Sequence, residues 1–301
     1  MFKRVTLFIA VNICVMVVAS FTISLLTKFF GLGSSHGAGG INYGSLMTMC
    51  MVWGMAGSFI SLFISKWMAK SMYGVKVMEP HGNYGSLVQK VHLLAKRAGI
   101  SKMPEVGVYE SPEANAFATG ASKNSSLVAV STGLLNQMSD DEVEGVLAHE
   151  IAHVANGDMV TMALVQGVVN AFVMFFARIA TFAIDNFLRG EDEEEGGGLG
   201  FFASMFVNMG LQILFGFLAA PIVMGFSRWR EYRADAGSAQ LAGKEKMIAA
   251  LEALKRNYNQ LEAVETSAQT MQISSKESFL ELFSSHPPLE KRIKALKKLS
   301  R

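Results

Sequence analysis

The residues His149-Glu150-Ile151-Ala152-His153 carry the most specific chemistry in this chain. Four residues is just over one helical turn, so on a helix the two imidazoles project from one face and chelate a single metal. Glu150 lies beside them, within reach of a metal-activated water without being a ligand. Neutral imidazoles with a carboxylate suit zinc, which lowers the pKa of its water toward about 7. Glu150 then takes the proton as general base and returns it to a leaving amine. The pattern predicts peptide-bond hydrolysis at a site holding one Zn2+ per chain.

A catalytic zinc keeps three protein ligands and one open position. Glu231, in Glu231-Tyr232-Arg233-Ala234-Asp235, is the best candidate for the third. With Glu231 on the metal, Asp235 lies one turn later on the same face, placed to accept a hydrogen bond from the outer N–H of a ligand histidine. The alternative is a charged first turn of a juxtamembrane helix.

The histidines need a rigid helix, and Ser139-Asp140-Asp141-Glu142 launches one as a capping box. That helix runs through Val143, Val146 and Leu147 to at least Ala155. Upstream, 87–98 reads as an amphipathic helix stopped by Gly99. Residues 106–109, 116–119 and 127–131 are short strand-like pieces separated by Pro, Asn, Gly and Ser.

Around this polar section the chain is strongly apolar. Half of all residues are hydrophobic and 17% are charged, against about a quarter in soluble domains. Apolar runs at 5–26, 41–64, 159–184 and 199–226 are each long enough to span a bilayer. Arg178 and Pro221 interrupt the last two, for which a buried helical hairpin is the other reading. Lys and Arg cluster at the N-terminus, after the second run and after the fourth, so the positive-inside rule puts the polar parts on the cytoplasmic side. The two cysteines, Cys14 and Cys50, lie inside apolar runs and form neither a disulfide framework nor a metal site. No Gly-rich phosphate loop follows a strand and no basic patch is interleaved with aromatics, so neither ATP nor nucleic acid is expected. The acidic loop 191–195 and the basic tail 291–301 read as solvated.

A His-Glu-x-x-His helix followed far downstream by Glu-x-x-x-Asp is the gluzincin pattern. Asn115-Ala116-Phe117-Ala118-Thr119-Gly120, His149 to Asp158 and Glu231 to Asp235 together resemble the HtpX family of bacterial membrane metallopeptidases, and more distantly the CAAX prenyl endopeptidases. The resemblance covers nearly the whole chain. It implies a multi-pass inner-membrane endopeptidase, its active site facing the cytoplasm, that degrades damaged membrane proteins under stress. It also implies that Asn115, Ala116 and Phe117 belong to a strand aligning an extended substrate, with Asn115 holding a substrate carbonyl; an ordinary edge strand is the alternative. His286-Pro287-Pro288 with Arg292 resembles the family's downstream His-Pro motif. There His286 either approaches the zinc, as oxyanion donor or resting cap, or fixes a proline turn.

The expected fold class is therefore a mainly α membrane protein: four transmembrane or membrane-embedded helices carrying a cytoplasmic α+β gluzincin-type zinc-peptidase domain. The boundaries are 1–70 for a transmembrane hairpin, 71–158 for the first part of the peptidase domain, 159–226 for the second hydrophobic pair and 227–301 for the remainder. Expected partners are protein or peptide substrates and the lipid bilayer. Two rival functions are an intramembrane-cleaving metalloprotease and a non-catalytic membrane scaffold; the polar start of the motif helix disfavours the first, and the matching Glu231 and Asp235 the second.

Overall fold

The apolar runs and the polar section separate cleanly into elements in the computed structural model, which describes residues 42–189, 198–266 and 284–299. In chain order these are α1 (Tyr43–Tyr73), β1 (Lys76–Val77), α2 (Gly85–Arg97), β2 (Glu105–Tyr109), β3 (Ala116–Ser122) and β4 (Ser125–Ser131). They continue with α3 (Thr132–Gln137), α4 (Asp140–Asn156), α5 (Asp158–Arg189), α6 (Gly200–Ala242), α7 (Lys244–Thr266) and α8 (Leu289–Lys298). The expected span at 5–26 and the acidic loop 191–195 lie outside the described residues.

The elements fall into two units. The described residues up to Ile60 join Ala163–Val223 in one; Ser61–Met162 and the described residues from Met224 onward form the other. The first unit is built from parts of α1, α5 and α6, the three helices among the described residues long and apolar enough to cross a membrane. Phe172, Phe176, Phe206, Phe217 and Ile222 point outward from it. Such faces are unfavourable in water and satisfied in hydrocarbon.

One element differs from its sequence reading. The run 199–226 does not end before a new polar helix; α6 continues without a break past Pro221 to Ala242, carrying Glu231 and Asp235 on its final turns. A change from apolar to polar side chains alters the surroundings of a helix without removing any backbone hydrogen bond. The helix stops only at Gly243.

The second unit wraps a four-stranded sheet, order β1-β2-β4-β3, around α4. β2 and β4 run parallel, while β3 lies antiparallel to β4 at the sheet's edge. Val106, Val108, Val128 and Val130 from the sheet pack with Val88, Val91 and Leu94 of α2 and with Leu147, Ile151 and Val154 of α4. Each such side chain contributes roughly 1.5–3 kcal/mol on burial, so the metal-motif helix is anchored against both the sheet and α2. Its start carries the expected capping box, with Ser139 and Glu142 each accepting from the other's backbone N–H.

Candidate metal centre

Two glycines bring the carboxylates onto the histidine face of α4. Gly157 ends α4 in the left-handed region at φ 70°, where a side chain would be strained, so that α5 begins at once and Asp158 turns back toward His153. Gly237 of α6 lies against α4 so closely that a Cβ there would sit 2.9 Å from the Ala152 Cβ. The Ser238 hydroxyl donates to the Gly145 carbonyl of α4 at 3.0 Å and fixes this approach. Glu231 and Asp235, one helical turn apart, are thereby held over His149 and His153.

The Nε2 atoms of His149 and His153 lie 3.1 Å apart. His149 Nε2 is 3.4 Å from Glu231 Oε2, and His153 Nε2 is 3.2 Å from Glu231 Oε1. Donors arranged tetrahedrally at about 2.0–2.1 Å from a zinc-sized ion are about 3.3 Å from one another, so the three side chains have the spacing of a ligand set. Each outer imidazole nitrogen meets a carboxylate: His149 Nδ1 lies 3.0 Å from Asp235 Oδ1, and His153 Nδ1 lies 2.6 Å from Asp158 Oδ2. A carboxylate only accepts, so each Nδ1 carries a proton, and a metal that displaced the proton from Nε2 would meet that lone pair facing inward.

The electrostatics agree. Burial opposes charge on Glu231, but hydrogen bonds from His149, His153 and His286 outweigh it and hold the carboxyl far below the usual carboxylate range. Burial likewise opposes charge on His153, yet Asp158 and Glu231 raise it to about 9. Glu231 Oε2 is buried, with His286 Nδ1 at 2.9 Å and Arg292 Nη1 at 3.5 Å beside it. Carboxylates that hold imidazoles cationic are carboxylates whose counter-charge a divalent metal can replace. These residues fit a metal.

Arg292 of α8 closes the centre from behind. Its Nε and Nη2 donate to both oxygens of Asp235, at 2.8 and 2.6 Å, and the whole residue is buried. Burial pushes the Asp235 carboxyl up, but this fork and His149 hold it below the usual range.

A model of peptidase family M48 matches residues 83–300. The chain belongs to peptidase family M48. Two similar relatives are each named Protease HtpX. That of Tolumonas auensis is 52% identical over 301 residues, covering 99% of both chains. That of Aeromonas hydrophila is 53% identical over 297 residues, covering 98% of this chain and 99% of its own. Among solved structures, the crystal structure of S. mikatae Ste24p matches with a TM-score of 0.62 at 21% identity. The match covers 98% of this chain and 64% of Ste24p, and it shows the shared fold. As an M48 member the chain is a metalloprotease, a hydrolase, and the three long apolar helices among its described residues make it a membrane protein.

Of the residues singled out in the sequence, His149, His153, Glu231, Asp235 and His286 converge, the last through its contact with Glu231. Glu150 is half-buried beside them and bears on the charge of His153 and Arg292. Asn115, Ala116 and Phe117 run onto the edge strand: Ala116 packs toward the core with α4, while Phe117 clusters with Tyr73 and Tyr109. No hydrogen bond joins them to the candidate ligands among the described residues. The sequence reading gave no role to Asp158, whose position just after a helix-ending Gly is its one local signal. Arg292 was legible only as part of the downstream motif, because its helix is otherwise rich in solvated lysines.

Proposed function

We propose that this M48 peptidase is a zinc-dependent endopeptidase anchored in the bacterial inner membrane by four helices, with its active site on the cytoplasmic side. It hydrolyses peptide bonds of damaged or misfolded membrane proteins. The observation that carries the reading is the His149–His153–Glu231 cluster, whose metal-binding atoms all lie within 4.8 Å of one another. Two imidazoles and a carboxylate are a zinc donor set. When bound, the metal supplies Lewis acidity, acidifying water to a pKa of about 7 and polarising the scissile carbonyl.

The chain's own residues do the rest. Glu150 accepts the proton of the attacking water as its oxygen bonds to the carbonyl carbon, then passes that proton to the amine as the C–N bond breaks. Asp235 and Asp158 hold the imidazoles in the tautomer that keeps Nε2 free. The edge strand β3 pairs with an extended substrate, and the side-chain amide of Asn115, which makes no hydrogen bond among the described residues, binds a substrate carbonyl. His286, which is exposed and reaches the centre at Glu231, donates to the developing oxyanion. Lys66, Lys70 and Lys76, with Arg228, Arg230 and Arg233, flank the apolar helices and support the cytoplasmic orientation.

Metal analysis of the purified protein tests the reading. One zinc per chain is expected, lost in His149→Ala and Glu231→Ala together with cleavage of a membrane-protein substrate. Undiminished cleavage by metal-free protein would overturn it.

A further inference from the structure

Arg178 is the only charged residue in the four apolar runs 5–26, 41–64, 159–184 and 199–226. No carboxylate in those runs can neutralise it. Among the described residues it makes no hydrogen bond or ion pair; the group whose charge it bears on is the buried Cys50 of α1. A cation within an apolar span, lacking a partner among the described residues, marks a place where another group supplies the charge.

The surroundings lead from Arg178 to the polar end of the span. Arg178, Thr181 and Asp185 stand at i, i+3 and i+7, on one face of α5. Seven residues of helix put Arg178 about 10 Å inside Asp185, where the apolar run ends. Thr181 is buried and accepts from the Asn208 amide of α6 at 3.2 Å, and Asn208 in turn accepts from Gln212, also buried. A strip of neutral polar groups therefore accompanies the route. Helical side chains lean toward the N-terminus of their helix, so Arg178 leans away from Asp185 and does not reach water simply by extending. The anion has to come to it.

We infer that Arg178 binds the phosphate of an anionic phospholipid seated against α5 and α6 at that end of the span. The planar guanidinium fork matches phosphate oxygens bidentately. A lipid headgroup drawn about 10 Å inward by local thinning brings its phosphate to this depth, while its acyl chains stay in hydrocarbon.

Native mass spectrometry of the full chain, purified in detergent and stripped of lipid, tests this with phosphatidylglycerol and phosphatidylcholine as probes. One phosphatidylglycerol per chain should bind in preference to phosphatidylcholine. Arg178→Gln should weaken phosphatidylglycerol alone, about tenfold, as expected for losing charged hydrogen bonds, and Arg178→Lys should fall between. Unchanged metal content and peptidase activity establish that the variants fold; if Arg178→Gln does not, Arg178→Lys carries the comparison. Equal phosphatidylglycerol binding by wild type and variant overturns the inference. So does displacement of the lipid by comparable concentrations of inorganic phosphate or glycerol phosphate, which would make this a site for free anions.

Discussion

His149 and His153 present Nε2 to the centre because Asp235 and Asp158 hold their opposite nitrogens. Arg292 holds Asp235 in turn, with both oxygens of the carboxylate engaged. Truncating it leaves a buried carboxylate uncompensated, free to rotate away from His149. Arg292→Gln should therefore weaken metal affinity about 10–100-fold, the range seen for groups that orient a ligand, with Arg292→Lys restoring part of it. Competition with a chelator of known affinity measures this. His286 differs: it is exposed and touches the centre only through Glu231. His286→Phe should slow turnover roughly 10–100-fold while metal content stays at the wild-type level. Loss of metal instead would make it a structural support of Glu231.

At the level of elements, the centre depends on how closely α6 lies on α4. At Gly237 no side chain fits without displacement, and the helix that would move carries Glu231 and Asp235. Gly237→Val should destabilise the protein by about 1–3 kcal/mol through overpacking and lower metal occupancy too, read from unfolding midpoint and metal analysis. A second tie joins α1 to the sheet. Glu105 of β2 pairs with Lys66 and Lys70 near the end of α1, each at 2.6 Å. Burial raises the Glu105 carboxyl, but the two ammonium groups outweigh it and set it below its ordinary value. A carboxylate whose pKa is lower in the folded state contributes stability above its unfolded pKa and loses it as pH falls through the folded one. The stability difference between wild type and Glu105→Gln should thus be constant near neutrality and vanish on acidification below about pH 4. A difference that persists at low pH would locate the effect in packing.

Across the whole molecule, the features legible in the sequence were those with short-range signatures. The pairs His149/His153 and Glu231/Asp235 each share a helix face by i,i+4 spacing, and a Ser–Glu capping box announces α4. The apolar runs of α1, α5 and α6 are long enough to declare themselves. What stayed hidden depends on packing. The parallel pairing of β2 with β4 is not written into two strands of five and seven residues. The Arg292–Asp235 pair joins residues 57 apart in sequence and buries a guanidinium in a lysine-rich helix, which reads as solvated until α8 is seen to dock. The continuity of α6 past the apolar boundary was hidden because composition changes there and helix geometry does not.

The chain thus combines long apolar helices with a candidate metal centre, at which Glu150 is the proposed general base. The most direct test is cleavage of a membrane-protein substrate by zinc-loaded wild type and Glu150→Gln, with metal content measured on the same samples. Gln keeps the shape but cannot accept a proton, so the variant should retain its zinc and lose activity by about 10²–10⁴-fold. Equal cleavage by the two proteins, each with its metal bound, would contradict the assignment of Glu150 as the base and with it the proposed mechanism.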